Sequence, residues 1–117
     1  MNTYGIKVVR TRLAQRKMVL IGRWLLVKPS YKLTQQDFTH EGIHLAQQRE
    51  LAYIGFYLWY TVEFIVKLML TWKWQMAYLS VSFEQEAYEN ENNNEYILQR
   101  FSYQWFKYLS KTYRYGL

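Results

Sequence analysis

Two histidines occur in this chain, four residues apart, with a glutamate directly after the first: His40-Glu41-Gly42-Ile43-His44. On a helix, residues i and i+4 lie on one face a turn apart, so both imidazoles can reach a single ion. Zinc suits such a pair, because it is borderline-soft and takes neutral imidazole nitrogen at tetrahedral geometry. Glu41 lies beside that face, where its carboxylate can serve as general base toward a water that the metal activates. There is no cysteine, which excludes thiolate metal sites, disulfides and a thiol nucleophile. A catalytic zinc site needs a third protein ligand. With both histidines used and no thiol, that ligand has to be a carboxylate.

The carboxylates are supplied by Ser82-Phe83-Glu84-Gln85-Glu86-Ala87-Tyr88. Glu84 and Glu86 point about 200° apart on a helix, so only one of them can face the ion. Glu89 and Glu91 read as part of a solvated acidic face, favourably charged near a helix N-terminus. Gln47 continues the stripe of His40 and His44. It either hydrogen-bonds a metal-ligating side chain or lines the rim of the site.

An HExxH helix followed by a second helix bearing a glutamate resembles the gluzincin class of zinc metallopeptidases, whose glutamate helix often reads E-x-x-A-D. Here Glu84-Gln85-Glu86-Ala87-Tyr88 matches E-x-x-A and then departs. The resemblance implies Glu84 as third ligand, forty residues after His44, with Glu86 as the alternative. It also sets Tyr88 where those enzymes carry the aspartate that orients a ligand histidine. The longer pattern HExxHxxQ, ending at Gln47, is similar to several short metallopeptidase-like families. The likeness is concentrated in residues 33–60 and 80–91. It implies a zincin-like fold, and zinc-dependent hydrolysis of a peptide or protein substrate. An edge strand, here Trp24–Val27, would pair with that substrate, and Tyr78 or Tyr88 would stabilise an oxyanion. Two alternatives stay open: a zinc-binding relative without catalysis, and a basic module that binds a membrane or nucleic-acid surface.

The elements that must position these residues are marked by local signals. Gly5–Arg10 reads as a strand, and Met18–Val27 as one or two more, bent at Gly22. Thr34 is an N-cap with Asp37 as capping-box partner, and Leu33 and Phe38 have the spacing of a hydrophobic staple. The active-site helix is predicted over about 35–52, with Gly55 breaking it from a second helix over about 56–71. Residues 72–79 are ambiguous. Ser82 with Gln85 predicts a capping box and a glutamate helix over about 83–90. Ile97, Phe101, Trp105 and Leu109 predict a C-terminal helix over about 95–109. The tail from Lys111 is unassigned. The expectation is one α+β domain over 1–117: a small N-terminal antiparallel sheet, in a β-rich segment 1–29, packed on a mainly helical body.

Half of the 117 residues are apolar and a fifth are aromatic, which is incompatible with a disordered chain. Fifteen Lys and Arg against nine Asp and Glu give a net charge of +6. The charge is segregated, with eight basic residues and no acid from Met1 to Lys32. Such asymmetry can mark an anionic partner. Peripheral contact with an anionic membrane fits it, whereas no nucleic-acid motif is present and nucleic acid is not an expected partner. The N-terminus lacks a signal-peptide pattern, so the expected location is the cytoplasm or a membrane surface. Leu51–Val62 is uncharged and aromatic; extending it to spanning length takes in Glu63 and Lys67, spaced as a helix-surface ion pair. That predicts a buried or interfacial helix.

Overall fold

Thr34 starts the helix on which the site is built. Its hydroxyl accepts from the Asp37 backbone N–H at 3.2 Å, and the Asp37 carboxylate accepts from the Thr34 N–H at 3.0 Å. This closed capping box satisfies two N–H groups that a helix start otherwise leaves unpaired. The computed structural model describes residues 2–12, 14 and 18–110, and in it the chain is an α+β structure. Arg16 and Lys17 of the basic segment, and the tail from Lys111, lie outside the described residues.

Helix α1 (Gln35–Glu50) ends at Leu51, and α2 (Ile54–Thr71) begins three residues later. The break lies at Ala52 and Tyr53, both at positive φ (54° and 64°), while Gly55 sits inside the first turn of α2. Left-handed backbone at non-glycine residues is costly and persists only where packing imposes it. Here it reverses the chain so that α2 returns along α1.

The sheet is mixed rather than antiparallel. Strands β1 (Lys7–Arg10), β2 (Met18–Ile21) and β3 (Trp24–Val27) lie in the order β1-β3-β2, with β1 parallel and β2 antiparallel to β3. Burial explains the order. Leu25 and Val27 of β3 are fully buried, whereas every residue of β1 is exposed. The strand that carries core side chains takes the centre and is hydrogen-bonded on both sides. Gly22, at φ 59°, occupies the first central position of the two-residue turn between β2 and β3, where the hairpin turn needs φ > 0. Gln48 and Tyr57 hold that turn: Gln48 Nε2 donates to the Gly22 carbonyl at 3.2 Å, and the Gly22 N–H donates to Tyr57 Oη at 3.0 Å. The hairpin is thereby tied to α1 and α2, with β2 on the outer edge.

Helices α3 (Trp74–Ser80) and α4 (Ser82–Asn90) share Val81 as a hinge residue. The expected Ser82–Gln85 capping box does not form. Glu63, reaching in from α2, accepts from both the Ser82 N–H and the Ser82 hydroxyl at 2.6 Å. Gln85 donates instead to the Ser80 carbonyl at 2.8 Å. Glu63 and Lys67 do pair, at 3.9 Å, but the pair is buried rather than on the helix surface.

The long C-terminal helix is also absent. Residues 95–109 fold as a single turn, α5 (Tyr96–Gln99), and a 3₁₀ helix (Gln104–Tyr108). Arg100 is extended (ψ 145°) and Tyr103 is left-handed (φ 60°). The cause is a buried ion pair. Glu86 is fully buried, and Arg100 turns inward to meet it, donating from Nε to Oε2 at 2.8 Å and from Nη2 to Oε1 at 3.0 Å. Arg100 also bridges to Glu50 at 3.1 Å. A continuous helix would have aligned Ile97, Phe101, Trp105 and Leu109, but Trp105 is fully buried while Phe101 is 78% exposed. Two apolar clusters result, one joining Leu25, Val27, Phe38 and Leu45, the other Phe56, Val81, Phe83 and Trp105.

Arg100→Ala leaves the Glu86 carboxylate uncompensated in the interior, so it should cost about 3–5 kcal/mol, much of a small domain's stability. Urea unfolding measures this; a loss below about 1 kcal/mol would contradict the role given to the pair.

Candidate metal centre

Three donor atoms converge between α1 and α4. His44 Nε2 is 3.2 Å from His40 Nε2 and 3.1 Å from Glu84 Oε1, and His40 Nε2 is 3.4 Å from the same oxygen. All three residues are buried. The i,i+4 spacing on α1 brings the rings together edge to face, with centroids 4.8 Å apart and planes at 75°. Glu84 enters from the first turn of α4. Its other oxygen, Oε2, accepts from the Tyr60 hydroxyl at 2.8 Å, so the carboxylate is held with Oε1 toward the rings.

The outer nitrogens of both rings are engaged. Gln47 Nε2 donates to the Phe83 carbonyl at 3.1 Å and to Glu86 Oε1 at 2.9 Å, which fixes the amide so that its oxygen faces His44. His44 Nδ1 therefore carries the hydrogen and donates to Gln47 Oε1 at 2.8 Å. His40 Nδ1 donates to Glu91 Oε2 at 2.7 Å. With hydrogens on both Nδ1 atoms, the two Nε2 lone pairs and a carboxylate oxygen point at one place. Left alone they repel, so a proton or a metal cation has to sit among them. An ion about 2.0–2.1 Å from each of three tetrahedral donors requires donor separations of about 3.3–3.4 Å. The separations found are 3.1, 3.2 and 3.4 Å. The donor set thus fits zinc.

The electrostatics express the same demand. Burial alone would lower the His40 pKa, but hydrogen bonds to Glu84 and Glu91 outweigh it and push it up to about 10. For Glu84 burial opposes ionisation, yet the neighbouring His44 and His40 rings hold its carboxyl below the usual range. Burial raises the Glu41 carboxyl, against the opposing pull of His44 and His40. A carboxylate raised toward neutrality is better matched to taking up and returning a proton. Burial and the nearby Glu84 charge raise the Tyr60 hydroxyl, so it remains a donor.

Glu41 is half-buried and lines two adjoining cavities. One, of about 270 Å³, is bounded by His40, His44, Glu84, Tyr60, Tyr78 and the strand residues Met18–Leu20. The other, of about 410 Å³, opens past Gln36, Gln75, Tyr88 and Glu91. The three donor residues, from α1 and α4, thus border a cavity.

Of the residues singled out in the sequence, His40, Glu41, His44 and Glu84 come together, and Gln47 stands behind His44. Glu86 does not face the rings; it lies behind Gln47, bonded to Arg100 and to the Tyr96 hydroxyl at 2.7 Å. Tyr88 packs edge-on against His40 at 4.5 Å and meets Tyr78 Oη at 3.4 Å, but does not take the orienting role of the missing aspartate. Glu91 takes it, so that residue is not simply a solvated acid. Glu84, Tyr88 and Glu91 follow i, i+4, i+7 spacing, one helix face, and that stripe was the available signal. Tyr60 carried none, because its partner is twenty-four residues away. The strand beside the cavity is β2; β3 is central and has no free edge. No family model matches the chain, and no curated protein or solved structure shows a significant match to it.

If Glu91 orients His40, Glu91→Ala should weaken zinc binding by about 10–100-fold, while Glu91→Gln, which keeps an acceptor, should retain most of it. Competition against a chelating dye reads both; equal affinities for wild type and Glu91→Ala would remove Glu91 from the site.

Proposed function

We propose that this chain is a zinc-dependent peptide hydrolase built as a minimal zincin-like domain of the gluzincin type. The observation that carries this reading is the convergence of His40 Nε2, His44 Nε2 and Glu84 Oε1 at donor spacing, with Glu41 lining the adjoining cavity. When bound, zinc would supply Lewis acidity and make water acidic enough to lose a proton near neutral pH. Two imidazole nitrogens and one carboxylate oxygen suit it better than magnesium or calcium, which prefer all-oxygen sites.

The chain's own residues supply the rest. Glu41 accepts the proton of the attacking water and returns it to the leaving amine, one group serving as base and then acid. Gln47 and Glu91 keep both rings in the Nδ1–H form that leaves Nε2 free. Tyr60 holds Glu84 and, staying protonated, does not compete for the ion. Tyr78 lines both cavities and is the hydroxyl best placed to donate to a developing oxyanion. A peptide substrate is supported by β2, whose residues Met18–Leu20 border the cavity and whose outer edge has no strand partner among the described residues. An extended peptide can pair with such an edge.

Purified protein should contain one zinc per chain by elemental mass spectrometry, lost in His40→Ala, His44→Ala and Glu84→Ala. Glu41→Gln should keep the zinc and cut peptide-library cleavage by at least about a hundredfold. A folded chain that takes up no zinc defeats the metal assignment; zinc with cleavage untouched by Glu41→Gln defeats the catalytic one.

A further inference from the structure

Helix α2 is amphipathic in the wrong sense for a helix facing water. Ile54, Leu58, Val62, Ile65, Val66 and Met69 are all between 48% and 74% exposed. At 100° per residue they fall within an arc of about 120°. The two charged residues of the helix, Glu63 and Lys67, are buried on the opposite side. A helix on an aqueous surface shows the reverse arrangement.

The uncharged face runs the length of α2, 18 residues or about 27 Å, and continues sideways. Phe106, 50% exposed, packs edge-on to Trp59. Leu58, Trp59, Val62, Val66 and Leu109 line a shallow, mainly apolar groove of about 490 Å³, whose lining also takes in the buried Glu63 and Lys67. Around this apolar centre lies a rim of aromatic and basic side chains. Trp72 and Trp74 are 86% and 71% exposed at the C-terminal end, with Lys73 between them. Arg23 lies at the other end, where the adjoining Gly22 N–H meets the Tyr57 hydroxyl, and Lys107 follows Phe106.

We propose that this face of α2 seats the chain on an anionic lipid bilayer, with the helix axis in the plane of the membrane. Apolar side chains would enter the acyl boundary, tryptophans would sit at headgroup depth, and Arg23, Lys73 and Lys107 would meet lipid phosphates. The rim charge favours lipid over a second copy of the chain. A two-fold contact would bring the same cations together, whereas anionic headgroups neutralise them. The inner face decides between lying on the membrane and crossing it. Glu63 caps α4, and Tyr60 holds Glu84, so one side of α2 is committed to a polar interior and only the other is free for lipid. The inference is independent of the metal reading.

Flotation of the full-length protein with phosphatidylglycerol/phosphatidylcholine vesicles tests it. Wild type should float, more strongly than with phosphatidylcholine alone, and part of the binding should survive high salt. The variant Leu58→Glu/Val62→Glu/Val66→Glu, whose changes are all at exposed positions, should keep its circular dichroism and lose binding by at least about tenfold. The chain has no cysteine, so a polarity-sensitive dye can be placed singly. It should shift to the blue with vesicles at Leu58→Cys and not at Lys32→Cys, beside the start of α1. Failure of wild type to float, undiminished flotation of the triple variant, or a dimer through α2 that vesicles do not dissociate would each overturn the proposal.

Discussion

Two imidazole nitrogens and a carboxylate oxygen, each with a lone pair aimed at one buried place, cannot coexist without positive charge between them. That constraint organises the rest of the structure. It requires His40 and His44 to keep their hydrogens on Nδ1, and so requires an acceptor behind each ring. Glu91 and Gln47 are those acceptors. Gln47 can turn its oxygen toward His44 only because its amide nitrogen has acceptors of its own, in Glu86 and the Phe83 carbonyl. Glu86 is a fully buried carboxylate and needs a cation, which Arg100 provides. The chain of dependence runs from the centre to a residue sixteen positions after Glu84 in sequence. Each link is a buried or half-buried polar group paired with its partner, the condition under which such groups are tolerated in an interior.

What the sequence disclosed follows the range of the interactions. Helix α1 was legible because Thr34 with Asp37, and His40 with His44, act within one turn of each other. Glu84 was legible through its resemblance to a known pattern and through the apolar Phe83 and Ala87 beside it. The loss of the C-terminal helix was not. The periodicity of Ile97, Phe101, Trp105 and Leu109 is a valid local signal, overridden by Arg100 turning inward to a carboxylate fourteen residues away. Glu91 was missed for a similar reason, since its partner lies fifty-one residues earlier. The sheet order was hidden because nothing in the exposed residues of β1 says which strand they join. Local chemistry marks where elements begin, whereas buried long-range ion pairs decide where some of them stop.

Helix α2 shows why a chain this short can hold a buried polar centre at all. Its inner side supplies three services from residues about one turn apart: Phe56 stacks on Phe83 at 4.6 Å, Tyr60 fixes Glu84, and Glu63 caps the helix that carries Glu84. Polar residues used inward in this way have to be matched by something outward, and in water an exposed apolar band of this length would promote association. The same helix therefore couples two requirements that pull its composition in opposite directions. An inner face polar enough to hold α4 leaves the outer face as the place for the apolar residues of α2, the face proposed to meet lipid. Tyr57 and Thr61, on the flank between the two faces, also line the cavity in front of His40 and His44. The centre consequently opens beside the apolar face, and a chain resting on a bilayer through α2 would present that opening close to the membrane surface, within reach of segments emerging from it.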